Sequence, residues 1–292
     1  MVNKLYPPFI GGMEGYIRAL AEALQRLPGV RVDVVVGQRW LGLGYQPLLR
    51  RFLERAARIV VWSHELLESS AELRPFRHKT VVLPGAIEVS RFVATPESRV
   101  HAASLRARIS GGRPIVLFVG RLVYYKGLAE LIAAMRDVDA VLLIVGDGPL
   151  RRESEALADR LGLRCRVHFR GEVDAAELPA VYQASDLLVL PSTHRTETFG
   201  LVQLEAHVAG IPSICTALGT GVESANVHGV TGLVVPPRDH DALREAIISL
   251  LGDDERRWRM GRCAQERALR DFDIASHARR MRAVYDDVLR AG

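Results

Sequence analysis

The sequence has few cysteines, few aromatic residues and no long apolar run. Its three cysteines, Cys165, Cys215 and Cys263, lie far apart and form no Cys-x-x-Cys pair, which argues against a disulfide framework and against a zinc site. No apolar stretch approaches the roughly 18 residues of a membrane-spanning helix, and the N-terminus lacks the charged-then-apolar pattern of a signal peptide. We therefore expect a cytoplasmic protein.

The fingerprints of several common nucleotide-binding classes are also missing. The sequence has no Gly-x-Gly-x-x-Gly dinucleotide motif and no Gly-x-x-x-x-Gly-Lys-Ser/Thr phosphate loop, so nicotinamide enzymes and P-loop ATPases are disfavoured. Aromatic residues make up 6% of the chain and no nucleic-acid-binding motif is recognisable. A nucleic-acid partner therefore fits poorly.

Charge is distributed unevenly along the 292 residues. Residues 1–95 carry 13 Lys+Arg against 8 Asp+Glu, whereas residues 96–292 carry 26 of each, so the net charge of +5 is entirely N-terminal. Arg50, Arg51, Arg55 and Arg58 cluster beside apolar residues, which predicts a basic amphipathic helix. Such a helix could rest on the inner face of the cytoplasmic membrane or be a solvated face, and both interpretations stay open.

Short β-rich runs alternate with helical runs from Arg113 onward. The runs are Ile115–Gly120, Ala140–Gly146, Arg166–Gly171, Leu187–Pro191, Ile211–Thr216 and Gly232–Pro236. Apolar strands separated by helices imply a parallel sheet covered on both faces. The pattern therefore predicts a doubly wound α/β domain whose ligands bind at the carboxyl ends of the strands.

The first part of the chain has fewer strand-like and helical runs, and these predict a small sheet. Its strands are expected at Val2–Leu5, Val30–Val36, Ile59–Trp62 and Thr80–Leu83. Pro-Gly and the loss of periodicity at Pro84–Pro96 indicate a hinge. We expect one domain over residues 1–90, a second over 91–273, and a C-terminal helix over 274–292 that packs back towards the first.

Glu197 and Glu205 are the most informative pair. They lie eight positions apart, just after the run Leu187–Pro191, so the first falls in a strand-to-helix loop and the second about two helical turns further along the same face. The free N–H groups and positive dipole of a helix start suit a phosphate, and Gly200 allows close approach. Glu205, partly enclosed among apolar residues, needs a polar partner such as a ribose diol. The alternative is an ordinary helix with a solvated edge.

Two further loops carry groups that suit a diphosphate. Gly120 to Gly127 follows a strand and places Arg121 and Lys126 at the carboxyl edge, where two cations can neutralise phosphate charge; ordinary surface charges are the alternative. Pro7 to Glu14 contains the pair Gly11-Gly12, which lets backbone N–H groups come close to a ligand. A plain turn before a helix is the alternative there.

Together these segments resemble the retaining glycosyltransferases of family 4, the group 1 glycosyl transferases. The family has a GT-B fold of two Rossmann-like domains with the sugar donor between them. The resemblance spans residues 84–292 and only parts of the first 80. It rests above all on Glu197 to Ala206 in register with Arg121 and Lys126.

The resemblance implies a role for each matching residue. Arg121 and Lys126 would hold the donor diphosphate, and Glu197 would meet the donor sugar, so these three are the expected catalytic residues. Expected donor-binding residues are Gly12, Gly120, Gly171, Glu172, Val173, Thr198, Phe199, Gly200, Leu201 and Glu205, with Glu205 on the ribose and residues 171–173 along the base. No metal and no cofactor are expected. The expected partners are a nucleotide sugar, linked to UDP or GDP, and a glycan, lipid-linked or small-molecule acceptor.

The N-terminal part departs from the family pattern. It is much shorter than the family's acceptor domain, and we expect the chain to begin inside the family's first strand. No residue matches the family's N-domain histidine; His64 is expected at a helix start. Exposed apolar edges there would favour a homo- or hetero-oligomer. A second hypothesis is therefore a nucleotide-sugar-binding protein or degenerate transferase subunit without activity of its own.

Overall fold

The computed structural model describes residues 12–26 and 45–291. Its helices are α1 (Gly12–Gln25), α2 (Tyr45–Arg55), α3 (His64–Ser69), α4 (Pro96–Ile109), α5 (Leu128–Ala134), α6 (Arg151–Arg160), α7 (Leu178–Gln183), α8 (Leu201–Val208), α9 (Gly221–Ala225), α10 (His240–Leu251), α11 (Asp254–Asp271) and α12 (Ile274–Ala291). Its strands are β1 (Ile59–Val61), β2 (Thr80–Val82), β3 (Ile115–Val119), β4 (Val141–Val145), β5 (Val167–Gly171), β6 (Leu187–Leu190), β7 (Ser213–Thr216) and β8 (Gly232–Val235).

Six of the strands form one parallel sheet, in the order β5-β4-β3-β6-β7-β8. This is the doubly wound order in which the chain starts at the centre, moves to one edge and then returns to build the other. The order reverses between β3 and β6. Ligands of such sheets bind outside the carboxyl ends of the strands at this switch point.

Helices cover both faces of the six-stranded sheet, and alternate residues of each strand face opposite layers. Val116 and Phe118 of β3 pack with α5 and α10 on one face, whereas Ile115 and Leu117 pack with α4, α7 and α8 on the other. All four side chains are fully buried. Burial on both faces explains why these strands are continuous apolar runs rather than alternating ones.

A smaller unit precedes this sheet. In it β1 and β2 form a parallel pair, with Ile59 opposite Thr80. Helix α12 returns from the C-terminal end to pack on α1, and Tyr16 Oη lies 2.7 Å from His277 Nε2 in this buried contact. Burial raises the pKa of Tyr16 to about 12 and lowers the pKa of His277 to about 4.

The two passages of the chain between the units lie side by side. Ile87 N–H donates to Phe272 O at 3.0 Å, and Ile274 N–H donates to Ile87 O at 2.9 Å. The segment predicted as an irregular hinge thus contains one short strand-like bridge to residue 273 and a 3-10 helix at Val89–Arg91.

Most of the predicted strands are confirmed to within three residues. No prediction was made for two helices: α4, which begins with a Thr95/Ser98 capping box and Pro96 in its first turn, and α9, which begins with a Thr220/Glu223 capping box. Both boxes are visible in the sequence and were the available signal. The strands predicted at 2–5 and 30–36 lie outside the described residues, and the domain boundaries stay a prediction.

No helix in the described ranges is both long enough and apolar enough to cross a membrane.

Candidate functional site

The loops that follow β3 and β6 meet at the switch point of the sheet. Thr193 N–H donates to Tyr125 O at 2.7 Å, which joins the two loops directly. Gly127 permits this approach, because a Cβ there would lie 1.9 Å from Pro191 O, and its φ of +66° is a left-handed conformation. The crossover topology therefore brings the loop of Lys126 against the loop of Glu197.

Lys126 and Glu197 form an ion pair at this junction. Lys126 Nζ lies 2.5 Å from Glu197 Oε2, and each side chain is 11% exposed. Ser192, which is fully buried, donates its hydroxyl to the same carboxylate oxygen at 3.0 Å. A paired cation and carboxylate thus stand, mostly enclosed, where the sheet topology places a ligand.

The backbone of the Glu197 loop is held from the side of α9. Thr220 Oγ1 donates to Glu197 O at 2.9 Å, and Gly221 N–H donates to Thr198 O at 2.8 Å. Gly221 allows α9 to come this close, since a Cβ there would lie 2.4 Å from Phe199 Cδ2. Because both neighbouring loops hold it, the position of Glu197 is fixed by the fold.

Helix α8 starts directly after this loop, at Leu201. Gly200 precedes it at φ +71°, and a Cβ there would lie 2.3 Å from Leu190 Cδ2. Phe199 is fully buried and contacts Trp62 and Phe272 edge to face. Its side chain therefore packs the core, and only its backbone remains for a ligand.

Glu205 lies on α8, where its carboxylate accepts a hydrogen bond from Tyr182 Oη at 2.5 Å. Burial raises the pKa of Glu205 to about 7, although the Tyr182 hydroxyl and the charge of Arg91 oppose this shift. Burial also raises the pKa of Tyr182 well above its usual value. The polar partner expected for Glu205 is thus supplied within the protein by Tyr182.

Three glycines stand side by side at the carboxyl ends of β3, β4 and β5. Gly120 N–H donates to Val145 O at 3.0 Å, and Gly146 N–H donates to Gly171 O at 2.8 Å. A Cβ on Gly146 would lie 2.1 Å from Gly120 O, so only glycine fits at this position. Beyond Gly171, Glu172 is exposed and Val173 is half-buried.

The remaining expected residues lie further out. Arg121 is exposed on the loop after β3, and a Cβ on Gly120 in the same loop would lie 3.6 Å from Lys126 Cε. Gly12 is the first residue of α1, and the loop before it lies outside the described residues. His64 is the first residue of α3, after the N-cap Ser63, as expected.

The smaller unit also touches the loops around Glu197. Arg195 Nη2 donates to Ser69 Oγ at 2.6 Å, and Ser69 Oγ donates to Gly219 O at 3.0 Å. Ser224 Oγ donates to Glu65 Oε2 at 2.6 Å. Helix α3 is therefore hydrogen-bonded to three places in the larger unit.

Sequence reasoning missed three residues that support the expected ones: Ser192, Thr220 and Tyr182. The capping-box spacing of Thr220 and Glu223 was a usable signal. Ser192 and Tyr182 had none, because their contacts depend on how the elements pack.

Comparison with known proteins agrees with this architecture. The solved structure of sucrose-phosphate synthase from Thermosynechococcus elongatus superposes with a TM-score of 0.76 at 30% identity, covering 89% of this chain and 65% of that one. The structure is therefore a GT-B-like α/β fold. The family model "Glycosyl transferases group 1" matches residues 104–267, and the chain belongs to this family.

Two curated bacterial relatives are similar over most of the chain. D-rhamnosyltransferase WbpZ of Pseudomonas aeruginosa is 39% identical over 80% of this chain, and O-antigen chain mannosyltransferase C of Escherichia coli is 36% identical over 80%. The matched regions span 60% and 62% of those two relatives.

Proposed function

We propose that the protein is a retaining, metal-independent glycosyltransferase. It would move a hexose from a UDP- or GDP-linked sugar to a glycan, lipid-linked or small-molecule acceptor in surface polysaccharide or glycoconjugate synthesis. The observation that carries this proposal is the enclosed Lys126–Glu197 pair at the switch point of the sheet, 2.5 Å between charged atoms. It combines a cation suited to phosphate with an acceptor suited to a sugar hydroxyl.

In this proposal Lys126 and Arg121 bind the donor diphosphate. Negative charge grows on the departing nucleotide as the glycosidic bond breaks, and fixed cations in an enclosed site stabilise that charge without having to reorganise. Backbone N–H groups at the start of α8 would add to the same effect. Glu197 would accept hydrogen bonds from the sugar while Ser192 holds its carboxylate in place.

Glu205 is proposed to bind the ribose and residues 171–173 to lie along the base. Gly120, Gly146 and Gly171 leave backbone without side chains at the ends of β3, β4 and β5, where a flat base would approach. The names of the two relatives, a rhamnosyl- and a mannosyltransferase, favour rhamnose or mannose as the transferred sugar.

The direct test is binding followed by turnover. Thermal-shift screening against UDP-, GDP- and ADP-sugars should identify the donor, because a ligand that binds only the folded state raises the melting temperature. Lys126→Ala should lose most of that rise, whereas the surface control Arg164→Ala, which removes an exposed ion pair with Asp159, should keep it.

Turnover separates the enzyme from the non-catalytic alternative. Glu197→Gln should bind the donor but transfer or hydrolyse it about 10²–10³-fold more slowly, the range for removing one preorganised polar group; Glu266→Gln on α11, an exposed partner of Arg262, is the control. NMR of the product anomer would test retention. Donor binding by the parent protein without any turnover would instead favour a binding subunit.

A further inference from the structure

A chain of hydrogen bonds runs from the rim of β8 to the loop that carries Lys126. Arg238 Nη2 lies 2.9 Å from His194 Nε2, and His194 Nδ1 lies 2.8 Å from Thr193 Oγ1. Thr193 then donates twice to Tyr125 O, through its N–H at 2.7 Å and its hydroxyl at 3.4 Å. Tyr125 directly precedes Lys126.

The chemistry of the donors fixes the direction of this chain. A guanidinium can only donate, so His194 Nε2 must accept, and the neutral ring then carries its proton on Nδ1. That proton goes to Thr193 Oγ1, whose own proton is left for Tyr125 O. Arg238, His194 and Thr193 each donate towards the Lys126 loop, and Tyr125 O accepts at the end. We call these four residues the relay.

Two independent observations indicate that this relay is a built arrangement. Arg238 has φ +61°, and among the residues that the structure describes it is the non-glycine residue with a positive φ; such strain persists only where the surroundings impose it. Tyr124 contacts the His194 ring edge to face at 5.3 Å and also contacts Tyr125. The imidazole therefore contacts the loop of Lys126 directly, through the Tyr124 ring.

We propose that His194 is a positioning residue that sets the Lys126 loop against Glu197, and that Arg238 fixes the tautomer it needs. This inference rests on the proposed transfer reaction for its functional consequence. Contacts expected for the ribose and base lie on α8 and after β5, away from the relay. Loss of the relay should therefore affect the reacting centre more than donor binding.

Conservative variants can separate the two sides of the ring. Asn at 194 keeps a donor near the Nδ1 position for Thr193, whereas Gln keeps an acceptor near the Nε2 position for Arg238. The matched control is His228→Ala, because His228 Nδ1 also accepts one hydrogen bond, from Val234 N–H at 3.0 Å, but lies beside the start of β8.

The first measurement is amide hydrogen exchange of Thr193, which needs no substrate. His194→Ala should speed this exchange about five- to tenfold, the effect of losing one typical hydrogen bond. His194→Asn should exchange like the parent, His194→Gln like the alanine variant, and His228→Ala like the parent. Unchanged exchange in His194→Ala, or rescue by Gln and not by Asn, would overturn the relay.

The second measurement is donor turnover. His194→Ala should lower kcat about tenfold with a donor KM within about twofold of the parent, and His194→Asn should recover most of the rate. An unchanged kcat would overturn the positioning role even if exchange responds. A parent protein that neither binds nor turns over any nucleotide sugar would refute the proposed function instead. The exchange result would then test only the hydrogen bonds of the relay.

Discussion

The two units of this molecule differ in how completely they bury their strands and fix their loops. The larger unit buries the side chains of its central strands completely and fixes its loops with glycines for which a Cβ has no room. In the part of the smaller unit that the structure describes, the strands are the pair β1 and β2, and all three residues of β2 are half-exposed. The larger unit therefore holds the charged groups of the candidate site in place by itself, and the smaller unit adds contacts at its border.

Those border contacts include an aromatic pair besides the hydrogen bonds of α3. Trp62, at the end of β1, contacts Tyr16 at 4.7 Å and Phe199 at 5.6 Å, both edge to face. Phe199 directly precedes the glycine that starts α8. The smaller unit thus reaches the candidate site through packing on Phe199 and through the hydrogen bonds of α3.

The largest effect should come from the junction of the β3 and β6 loops. Gly127→Ala should destabilise the protein by about 3 kcal/mol or more, since the new Cβ would overlap Pro191 O and strain a left-handed residue. Gly112→Ala is the control, because its φ is +82° but nothing lies within 4 Å. Urea unfolding of both variants measures the difference, and equal losses would show that the close approach does not matter.

Truncation of Trp62 tests the border between the units. Trp62→Ala should cost about 2–4 kcal/mol, less than a fully buried aromatic because Trp62 is half-buried, and it should also weaken donor binding through Phe199. Trp258→Ala, with a ring 62% exposed beside Arg262, should cost well under about 1 kcal/mol. If the two variants behaved alike, the aromatic contact would not couple the units.

The pH dependence of donor binding tests Glu205 in the larger unit. The ribose hydroxyls would donate to the ionised carboxylate of Glu205. In the free protein the pKa of this group is raised to about 7, so the Glu205 carboxyl is largely protonated below that pH. Donor affinity should therefore increase by up to about tenfold per pH unit as pH rises towards 7 and then level off. Titration calorimetry at several pH values measures this slope, which Glu205→Gln should abolish and Glu266→Gln should keep. A slope that survives in Glu205→Gln would place the titrating group elsewhere.

Acid should also weaken the contact between α1 and α12. The pKa of His277 is lowered from 6.5 to about 4, so the unfolded state binds more protons between these values. The contribution of His277 to stability is complete above pH 6.5 and is lost as pH falls towards 4. Urea midpoints of the parent should decline over this window more than those of His277→Gln, and parallel declines would remove His277 as the cause.

The smallest effect should come from α3. Ser69→Ala removes the link to Arg195 and Gly219, but the contact is exposed and should cost about 0.5 kcal/mol. Ser249→Ala, which removes an exposed contact with Arg256 inside the larger unit, should cost the same. Combined with Arg195→Ala in a double-mutant cycle, Ser69→Ala should show a coupling energy and Ser249→Ala should show none; coupling in both would contradict a specific link.

The sequence predicted the elements of the larger unit well because a parallel sheet buried on both faces leaves apolar runs that stand out. It also predicted that Lys126 and Glu197 lie at the same edge. It did not predict their direct contact, since 71 residues separate them and the contact depends on which strands become neighbours. Likewise, Tyr182 was unforeseen as the partner of Glu205 because two helices must pack to bring them together.

The hydrogen bonds of Ile87 to Phe272 and Ile274 constrain how the two units can move. The two segments that connect the units, one through Ile87 and the other through Phe272 to Ile274, are hydrogen-bonded side by side and define one line. A rotation about this line would leave the neighbours of Ile87 in place while it separated Ser69 from Arg195 and Gly219. The smaller unit could then part from the loops around Glu197 without breaking the hydrogen bonds of Ile87.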